Sequence, residues 1–350
     1  MSDPTQSADR QTALTVWLQN LPPSLGLQLD SMSPASSDAS FRRYWRIARG
    51  QSNLIVMDAP PPQEDCQPFL DVTHRLAQAG VTVPEVLAHD LEQGFMLLSD
   101  LGRDNYYAAI ISGLDDAALQ TYYRQALDML VKLQHADSAG LAAFDAPRLR
   151  GELELFEQWF VKEHHQTELT ADESTALDAI FEMLCAGMAA EPRVLVHRDF
   201  HSPNLMVCEP DSGLVNPGVL DYQDAVAGPL SYDIASLVFD ARTTWQEPQQ
   251  LDWMIRYWEK ARSAALPVPA DFAVFHQQCE FTSLQRNLRI LGVFARLNHR
   301  DGKSHYLDHV PRVLQYVRQV AGRYHAFTPL ARLLDRLQGI KPDVSLSFAP

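Results

Sequence analysis

The sequence has little positive charge, few cysteines and no long apolar run. Its 29 Lys and Arg residues stand against 44 Asp and Glu residues, and the formal net charge is −15. Such an acidic chain is a poor partner for nucleic acid or for an anionic membrane surface. No segment approaches roughly 18 uninterrupted apolar residues, so we expect no membrane span. The first residues lack a basic start followed by an apolar stretch, so we expect no signal peptide and a cytoplasmic protein.

The cysteines predict no disulfide framework. Cys66, Cys185, Cys208 and Cys279 lie far apart and form no C-x-x-C pair. In a chain of 350 residues with 46% hydrophobic content, a large core is available, so reduced and buried thiols are expected.

The pattern of apolar residues changes near residue 101. Before it, alternating patterns predict a β-hairpin over 41–59, a helix over 67–80 and two further strands over 84–101, whereas 31–40 reads as a small polar loop. After it, long helical periods dominate and only three short strands interrupt them. We therefore predict an α+β protein with a small β-rich N-terminal lobe, 1–101, and a larger, mostly helical C-terminal lobe, 102–350.

The stretch "VLVHRDFHSPNLMV", residues 194–207, places a polar loop between two apolar strands. It contains the spacing H-x-D-x-x-x-x-N, formed by His197, Asp199 and Asn204. In phosphoryl transfer a carboxylate must face the attacking hydroxyl and accept its proton, and a neutral oxygen can bind magnesium without repelling the phosphates. We assign the first role to Asp199 and the second to Asn204, and expect His197 to brace the loop as a buried structural residue.

A second metal ligand follows in "GVLDYQDA", which supplies Asp221 directly after an apolar strand. Asp221 lies 17 residues beyond Asn204, which leaves room for a strand, a turn at "EPDSG" and another strand. Two adjacent strands would bring both ligands to one end of a hairpin. Magnesium prefers a few oxygen ligands together with water and phosphate, and one Asp and one Asn suffice.

These two segments resemble the catalytic loop and the metal-binding segment of the aminoglycoside phosphotransferase and choline kinase-like family, small-molecule kinases related in fold to protein kinases. The resemblance implies a bilobal protein kinase-like fold whose N-terminal lobe binds the nucleotide and whose C-terminal lobe binds the substrate. It implies ATP and Mg²⁺ as cofactors. It also implies that Asp233, in "GVLDYQDAVAGPLSYDIASL", anchors the catalytic loop as a structural residue.

Shorter segments in both lobes narrow the resemblance. "SDASFRRYWRI", "LIVMDAPP", "MLLSDLG" and "NLRILGVFARL" are similar to the bacterial cell-wall amino-sugar kinases. Those enzymes phosphorylate the anomeric (C1) hydroxyl of N-acetylmuramate and N-acetylglucosamine in peptidoglycan recycling. The resemblance thus implies a small-molecule sugar as the partner, with neither nucleic acid nor membrane, and we expect a monomer.

The sequence departs from protein kinases where they hold the nucleotide. "SDASFRRYW" has no glycine, Met57 stands where V-A-I-K places its lysine, and no A-P-E follows. A cation must still neutralise the phosphates, and Arg42, Arg43 and Arg46 lie in or beside this loop. We assign the role to Arg43 or a neighbour. The adenine is expected near "MLLSDL", with backbone groups of Ser99, Asp100 and Leu101 among its partners.

Polar residues near the motif and on the later helices are candidates for sugar binding. They are His201, Gln223, Glu154, Arg286 and Arg289. A muramate carries a lactyl carboxylate, for which an arginine is a suitable partner. Arg286 and Arg289 are three residues apart and share one helix face, so both remain candidates.

Two other functions remain open from the sequence. One keeps the chemistry and changes the acceptor to an aminoglycoside, choline or homoserine. The other is a nucleotide-binding pseudokinase without catalysis, whose only support is the missing lysine at Met57.

Overall fold

The computed structural model describes residues 4–37 and 41–340. The chain divides into two compact units, the first formed by 1–109 with 204–224 and the second by 110–203 with 225–350. A five-stranded antiparallel sheet dominates the first unit, and helices dominate the second. This arrangement confirms the predicted α+β class.

The strands lie mostly in the first unit. In chain order they are β1 (Leu27–Ser37), β2 (Arg43–Arg49), β3 (Ser52–Asp58), β4 (Val86–Asp90), β5 (Phe95–Ser99), β6 (Arg193–Val196), β7 (Leu205–Met206), β8 (Gly218–Val219) and β9 (Val226–Pro229).

The helices of the described residues include one very long member in the second unit. In chain order they are α1 (Pro4–Gln19), α2 (Gln67–Gln78), α3 (Tyr106–Ile111), α4 (Asp116–Gln134), α5 (Ala146–Leu155), α6 (Ala171–Ala189), α7 (Ser231–Val238), α8 (Glu247–Ser263), α9 (Phe272–Asp301), α10 (Val310–Arg323) and α11 (Thr328–Leu337). A π-helical segment, Phe156–His164, continues α5.

The sheet of the first unit has the order β1-β2-β3-β5-β4, so the predicted hairpin over 41–59 is confirmed as β2 and β3. The prediction of a loop over 31–40 was wrong for 31–37, which belong to β1; residues 38–40 lie outside the described residues. Small polar residues and Pro34 are tolerated here because β1 is an edge strand, where an unpaired backbone position causes no loss.

The two faces of this sheet carry different residues. Leu14 and Leu18 of α1 pack on one face against Ile47 of β2, Val56 of β3 and Leu97 of β5, all buried. Burying such side chains contributes about 1.5–3 kcal/mol each. Because successive strand residues point to opposite sides, the other residues of each strand form the second face.

A small hairpin, β7 with β8, belongs to the first unit. Leu205 pairs with Val219 in antiparallel register, and a short 3₁₀ turn at Pro210–Ser212 lies in the connection. The predicted pair of adjacent strands with a turn at "EPDSG" is therefore confirmed. Tyr222, just after β8, stacks on Phe69 of α2 at 5.2 Å, and its hydroxyl lies 2.8 Å from Oγ1 of Thr73.

In the second unit, α9 runs for 30 residues and packs closely on the junction between α5 and the π-helical segment. Asp271 caps its first turn, and Gly302 ends it in the left-handed conformation. A Cβ at Gly292 would lie 2.3 Å from the backbone C and O of Leu155, so only glycine permits this approach.

The structure also bears on membrane spans and on the state of the cysteines. No helix within 4–37 and 41–340 combines the length and apolarity that a membrane span requires. All four cysteines are buried and unpaired.

Candidate active site

The loop after β6 is held by a carboxylate of α7. Oδ2 of Asp233 accepts a hydrogen bond from the backbone N–H of His197 at 2.7 Å, and Oδ1 accepts one from that of Arg198 at 3.0 Å. Burial raises the pKa of Asp233 to about 6, against the opposing effect of His197 and these hydrogen bonds. The carboxyl is therefore ionised at neutral pH, as an acceptor of two N–H groups requires.

The same loop bends sharply at one residue. Arg198 has φ 77°, in the left-handed region that non-glycine residues rarely adopt. The buried ring of His197 accepts the N–H of Asp199 at its Nδ1 atom, 3.2 Å away, and lies edge-on to Phe200. These contacts fix the backbone on both sides of the bend, so the direction of the Asp199 side chain is set by the loop.

Asp199 lies among positive charges in the second unit. Its Oδ1 atom is 3.5 Å from a guanidinium nitrogen of Arg286, and its side chain remains 37% exposed. Burial acts to raise the pKa of Asp199, but Arg289 and Arg286 outweigh it and hold the pKa well below its usual range. Asp199 is thus an ionised carboxylate with an open side.

His201 and Ser202 continue the loop on buried partners. Nε2 of His201 is 3.9 Å from Asp199, and burial lowers the pKa of His201 to about 4, so the imidazole is neutral at physiological pH. The backbone N–H and the hydroxyl of Ser202 both donate to buried Asp240. Asp240, which follows the apolar run of α7, was not predicted from the sequence.

Two further arginines meet one glutamate beside this loop. Oε1 of Glu152 is 2.7 Å from Arg198 and 3.4 Å from Arg289. Burial acts to lower the pKa of Arg289, but Glu152 and its other neighbours outweigh it and raise the pKa. The geometry gives no support to the sugar role predicted for Glu154, which is 65% exposed and 4.0 Å from Arg150.

Helical spacing in the sequence could have placed Glu152, and not Glu154, on the buried face of α5. Residues two apart on a helix are about 200° apart around its axis, so Glu152 and Glu154 face different sides of α5. Glu152 follows buried Leu149 by three residues, which places it on the buried face.

The two predicted metal ligands lie together in the first unit. Nδ2 of Asn204 is 3.4 Å from Oδ2 of Asp221, at the end of the β7–β8 hairpin. Asp221 has φ 63°, a second non-glycine residue in the left-handed region. Gln223, predicted to bind sugar, donates its Nε2 hydrogen bond to Oδ1 of Asp221 at 2.8 Å.

The donor set suits a magnesium ion. Amide and carboxylate oxygens are the ligands that Mg²⁺ prefers, and it commonly takes one or two of them from the protein. Within the described part of the chain, no group of three or more His, Cys, Asp or Glu residues could hold a metal ion. Asn204 and Asp221 therefore remain the residues that would hold it.

The residues predicted near the adenine are engaged within the sheet. The N–H of Ser99 donates to the carbonyl of Glu85 at 2.9 Å, and the hydroxyl of Ser99 accepts the N–H of Glu85. The carboxylate of Asp100 pairs with Arg46 at 2.5 Å, and Leu101 is buried. Their role toward a nucleotide stays a prediction.

Arg43, predicted to contact phosphate, lies on the sheet face that α1 covers. Its guanidinium is 2.6 Å from Oδ2 of buried Asp58, whose Oδ1 pairs with Arg10 of α1. Arg43 also lies 5.8 Å from the ring of Trp45 on the same face. Asp58 thus binds two arginines on the side that faces α1.

Comparisons with known proteins identify the family of the chain. The phosphotransferase enzyme family matches residues 31–272. A curated relative from Pseudomonas aeruginosa, named N-acetylmuramate/N-acetylglucosamine kinase, is 46% identical over 305 residues, covering 87% of this chain and 88% of the relative. A relative of the same name from Neisseria meningitidis is 40% identical over 332 residues, covering 94% and 96%.

Solved structures show the same fold at low identity. A choline/ethanolamine kinase family protein from Mesorhizobium loti is 12% identical with a TM-score of 0.61, covering 95% of this chain and 99% of that one. An ADP-bound aminoglycoside phosphotransferase is 14% identical with a TM-score of 0.56, covering 87% and 97%. The predicted resemblance is confirmed, and the chain belongs to the phosphotransferase enzyme family.

Proposed function

We propose that this protein is an ATP-dependent kinase that phosphorylates the C1 hydroxyl of N-acetylmuramate and N-acetylglucosamine in peptidoglycan recycling. Relatives of that name are 40–46% identical over most of both chains. The structural observation that carries the proposal is an ionised Asp199 on a clamped loop, lined by Arg286. Because the reaction consumes ATP, we place it in the cytoplasm, with the enzyme as a monomer.

Asp199 is the base of the proposed reaction. It accepts a hydrogen bond from the C1 hydroxyl and directs the oxygen toward the γ-phosphorus. The new O–P bond forms as the bond between the γ-phosphorus and the bridging oxygen of ADP breaks, and the hydroxyl proton passes to the carboxylate. With its pKa held so low, Asp199 is a weak base, so it contributes mainly by orienting the hydroxyl.

The charges of the phosphates need partners in the same reaction. Asn204 and Asp221 would hold a magnesium ion, which when bound neutralises charge on the phosphates. Gln223 fixes the orientation of the Asp221 carboxylate through its hydrogen bond, which favours a supporting role over sugar contact.

The two arginines considered for the sugar differ in their exposure and in their hydrogen-bond partners. Arg286 is 3% exposed and donates to the carbonyl of Arg198 as well as to Asp199, so it holds the loop. Arg289 is 20% exposed and pairs with Glu152 at 3.4 Å. We assign Arg289 to the lactyl carboxylate of the muramate, because its guanidinium is ionised and accessible.

The decisive experiment compares Asp199→Asn with wild type on both sugars. We expect kcat to fall roughly 10²–10⁴-fold, since the amide lacks the negative charge that orients the hydroxyl and cannot take up its proton, while ATP affinity changes little. Product NMR should show the phosphate at C1. The matched control is Asp172→Asn in the exposed first turn of α6, which should keep wild-type turnover.

The outcomes separate the alternatives. Near-normal turnover in Asp199→Asn would remove Asp199 from the chemistry. Transfer to an aminoglycoside, choline or homoserine in place of either sugar would keep the chemistry and replace the substrate. ATP binding in calorimetry without transfer to any acceptor would instead favour the pseudokinase.

A further inference from the structure

The sheet face opposite α1 lacks a lysine where the proposed reaction needs a cation. Met57 lies on that face, because its neighbour Val56 belongs to the α1 core and successive strand residues alternate. Met57 is 1% exposed and has no charge. Its cross-strand partner Tyr44 is on the same face, since directly opposed residues of an antiparallel pair share a side.

Arg42 supplies a positive charge beside Tyr44. It immediately precedes β2, hydrogen-bonds the Tyr44 side chain, and its Nε atom is 3.0 Å from Oε2 of Glu64. The side chains of Arg42 and Glu64 are only 10% and 13% exposed. The second carboxylate oxygen of Glu64 accepts the backbone N–H of Phe41 at 3.2 Å, so the ion pair is fixed at both ends.

Arg42 also lies within the electrostatic field of the metal ligand. Burial acts to lower the pKa of Arg42, but Tyr44, Glu64 and Asp221 outweigh it and raise the pKa. The group therefore stays charged although it is largely buried. A charged arginine that interacts with the carboxylate that would hold magnesium is suited to neutralise the charge of a triphosphate.

We propose that Arg42, oriented by Glu64, contacts the phosphates of ATP and replaces the absent lysine at Met57. This inference rests on the proposed ATP-dependent reaction and names one of its nucleotide-binding residues. The neighbouring arginines are engaged elsewhere: Arg43 pairs with Asp58 on the α1 face, and Arg46 pairs with Asp100 and the carbonyl of Gly102. A guanidinium suits the task because it binds two oxygens at once and keeps its charge when buried.

The test measures nucleotide binding by calorimetry on the full chain, with Mg-ATP and adenosine as probes. Arg42→Met removes the charge while keeping an unbranched side chain, and Arg43→Met is the matched control one residue away. We expect Arg42→Met to weaken Mg-ATP binding at least about tenfold and to leave adenosine binding unchanged. Arg42→Lys should recover part of the loss, whereas Arg43→Met should stay within about threefold of wild type.

Several results would overturn the assignment. Wild-type Mg-ATP affinity in Arg42→Met would do so, and so would an equal loss of adenosine affinity, which would indicate damage to the fold. A loss in Arg43→Met that matches or exceeds that in Arg42→Met would return the role to Arg43. The proposed function is judged separately, by wild-type transfer to the two sugars, so either idea can fail while the other stands.

Discussion

A buried glutamate beside the strand that leads into the Asp199 loop should make the stability of the protein depend on pH. Glu191 is 6% exposed and lies just before β6. It accepts the backbone N–H of Ser231 at 3.0 Å and its hydroxyl at 2.8 Å, and so holds the first residue of α7. Burial raises the pKa of Glu191 to about 7, although both hydrogen bonds from Ser231 oppose the rise.

The sign of the effect follows from proton binding. A pKa of about 7 against the usual 4.5 means that the native state binds the proton of Glu191 more tightly than the unfolded chain does. The free energy of unfolding therefore falls as pH rises from about 4.5 to about 7 and levels off above that. At about 1.4 kcal/mol per pKa unit the full penalty is about 3 kcal/mol, of which about 2.5 kcal/mol develops between about pH 5 and about pH 8.

The perturbation is Glu191→Gln, whose amide cannot ionise. We expect the free energy of unfolding of the variant, relative to wild type, to rise by about 2.5 kcal/mol from about pH 5 to about pH 8. Urea unfolding followed by tryptophan fluorescence at several pH values measures it. Loss of one hydrogen-bond acceptor changes the free energy of unfolding of the variant by the same amount at every pH. Asp233 titrates in both proteins. Neither effect therefore contributes to the pH dependence of the difference between variant and wild type.

The control is Glu182→Gln on the exposed side of α6, which should leave the pH dependence of wild type unchanged. A difference between Glu191→Gln and wild type that stays constant within about 0.5 kcal/mol over this range would refute the reasoning. It would mean that Glu191 keeps an ordinary affinity for its proton in the fold despite its burial.

Two further predictions concern packing and specificity. Gly292→Ala should lower the free energy of unfolding by about 1–3 kcal/mol, because its Cβ would overlap the backbone of Leu155. Gly322→Ala is the control, since its Cβ meets nothing within 4 Å, and it should not lower the free energy of unfolding. Thermal unfolding of both variants tests the prediction. Arg289→Gln should lower kcat/KM for N-acetylmuramate at least about tenfold more than for N-acetylglucosamine, because only the first sugar has a lactyl carboxylate. Steady-state assays on both sugars measure the difference. An equal loss on both sugars would contradict a contact between Arg289 and the lactyl carboxylate.

The β7–β8 hairpin was predictable because the patterns that indicate it are local. Asn204 directly precedes β7 and Asp221 follows β8 by two residues, and the turn residues between the strands allow one reversal of the chain. Strand pairing then brings the two side chains together without any information from the rest of the sequence. The structure adds what no local pattern gives, namely that Gln223 donates to Asp221.

The alternation of residues along β2 could have separated the three arginines from the sequence alone. Arg43 alternates with Trp45 and Ile47, so its side of β2 is the apolar one, whereas Arg42 and Arg46 share the other side. Which face α1 covers depends on the packing of separate elements, which no local pattern shows. Nor does any local pattern indicate that α5 continues as a π-helical segment where α9 approaches at Gly292.

The strained backbone of Arg198, in the loop that carries Asp199, is stabilised by hydrogen bonds to charged groups. A non-glycine residue at φ 77° loses on the order of 1–3 kcal/mol relative to ordinary backbone. Against this, its N–H binds Asp233, its guanidinium binds Glu152 at 2.7 Å and its carbonyl accepts from Arg286 at 3.2 Å. Hydrogen bonds to charged groups contribute about 1.5–3 kcal/mol each, so they outweigh the strain. Glycine here would relieve the backbone but release Glu152, so the arginine couples the bend of the loop to the charges that keep Asp199 ionised.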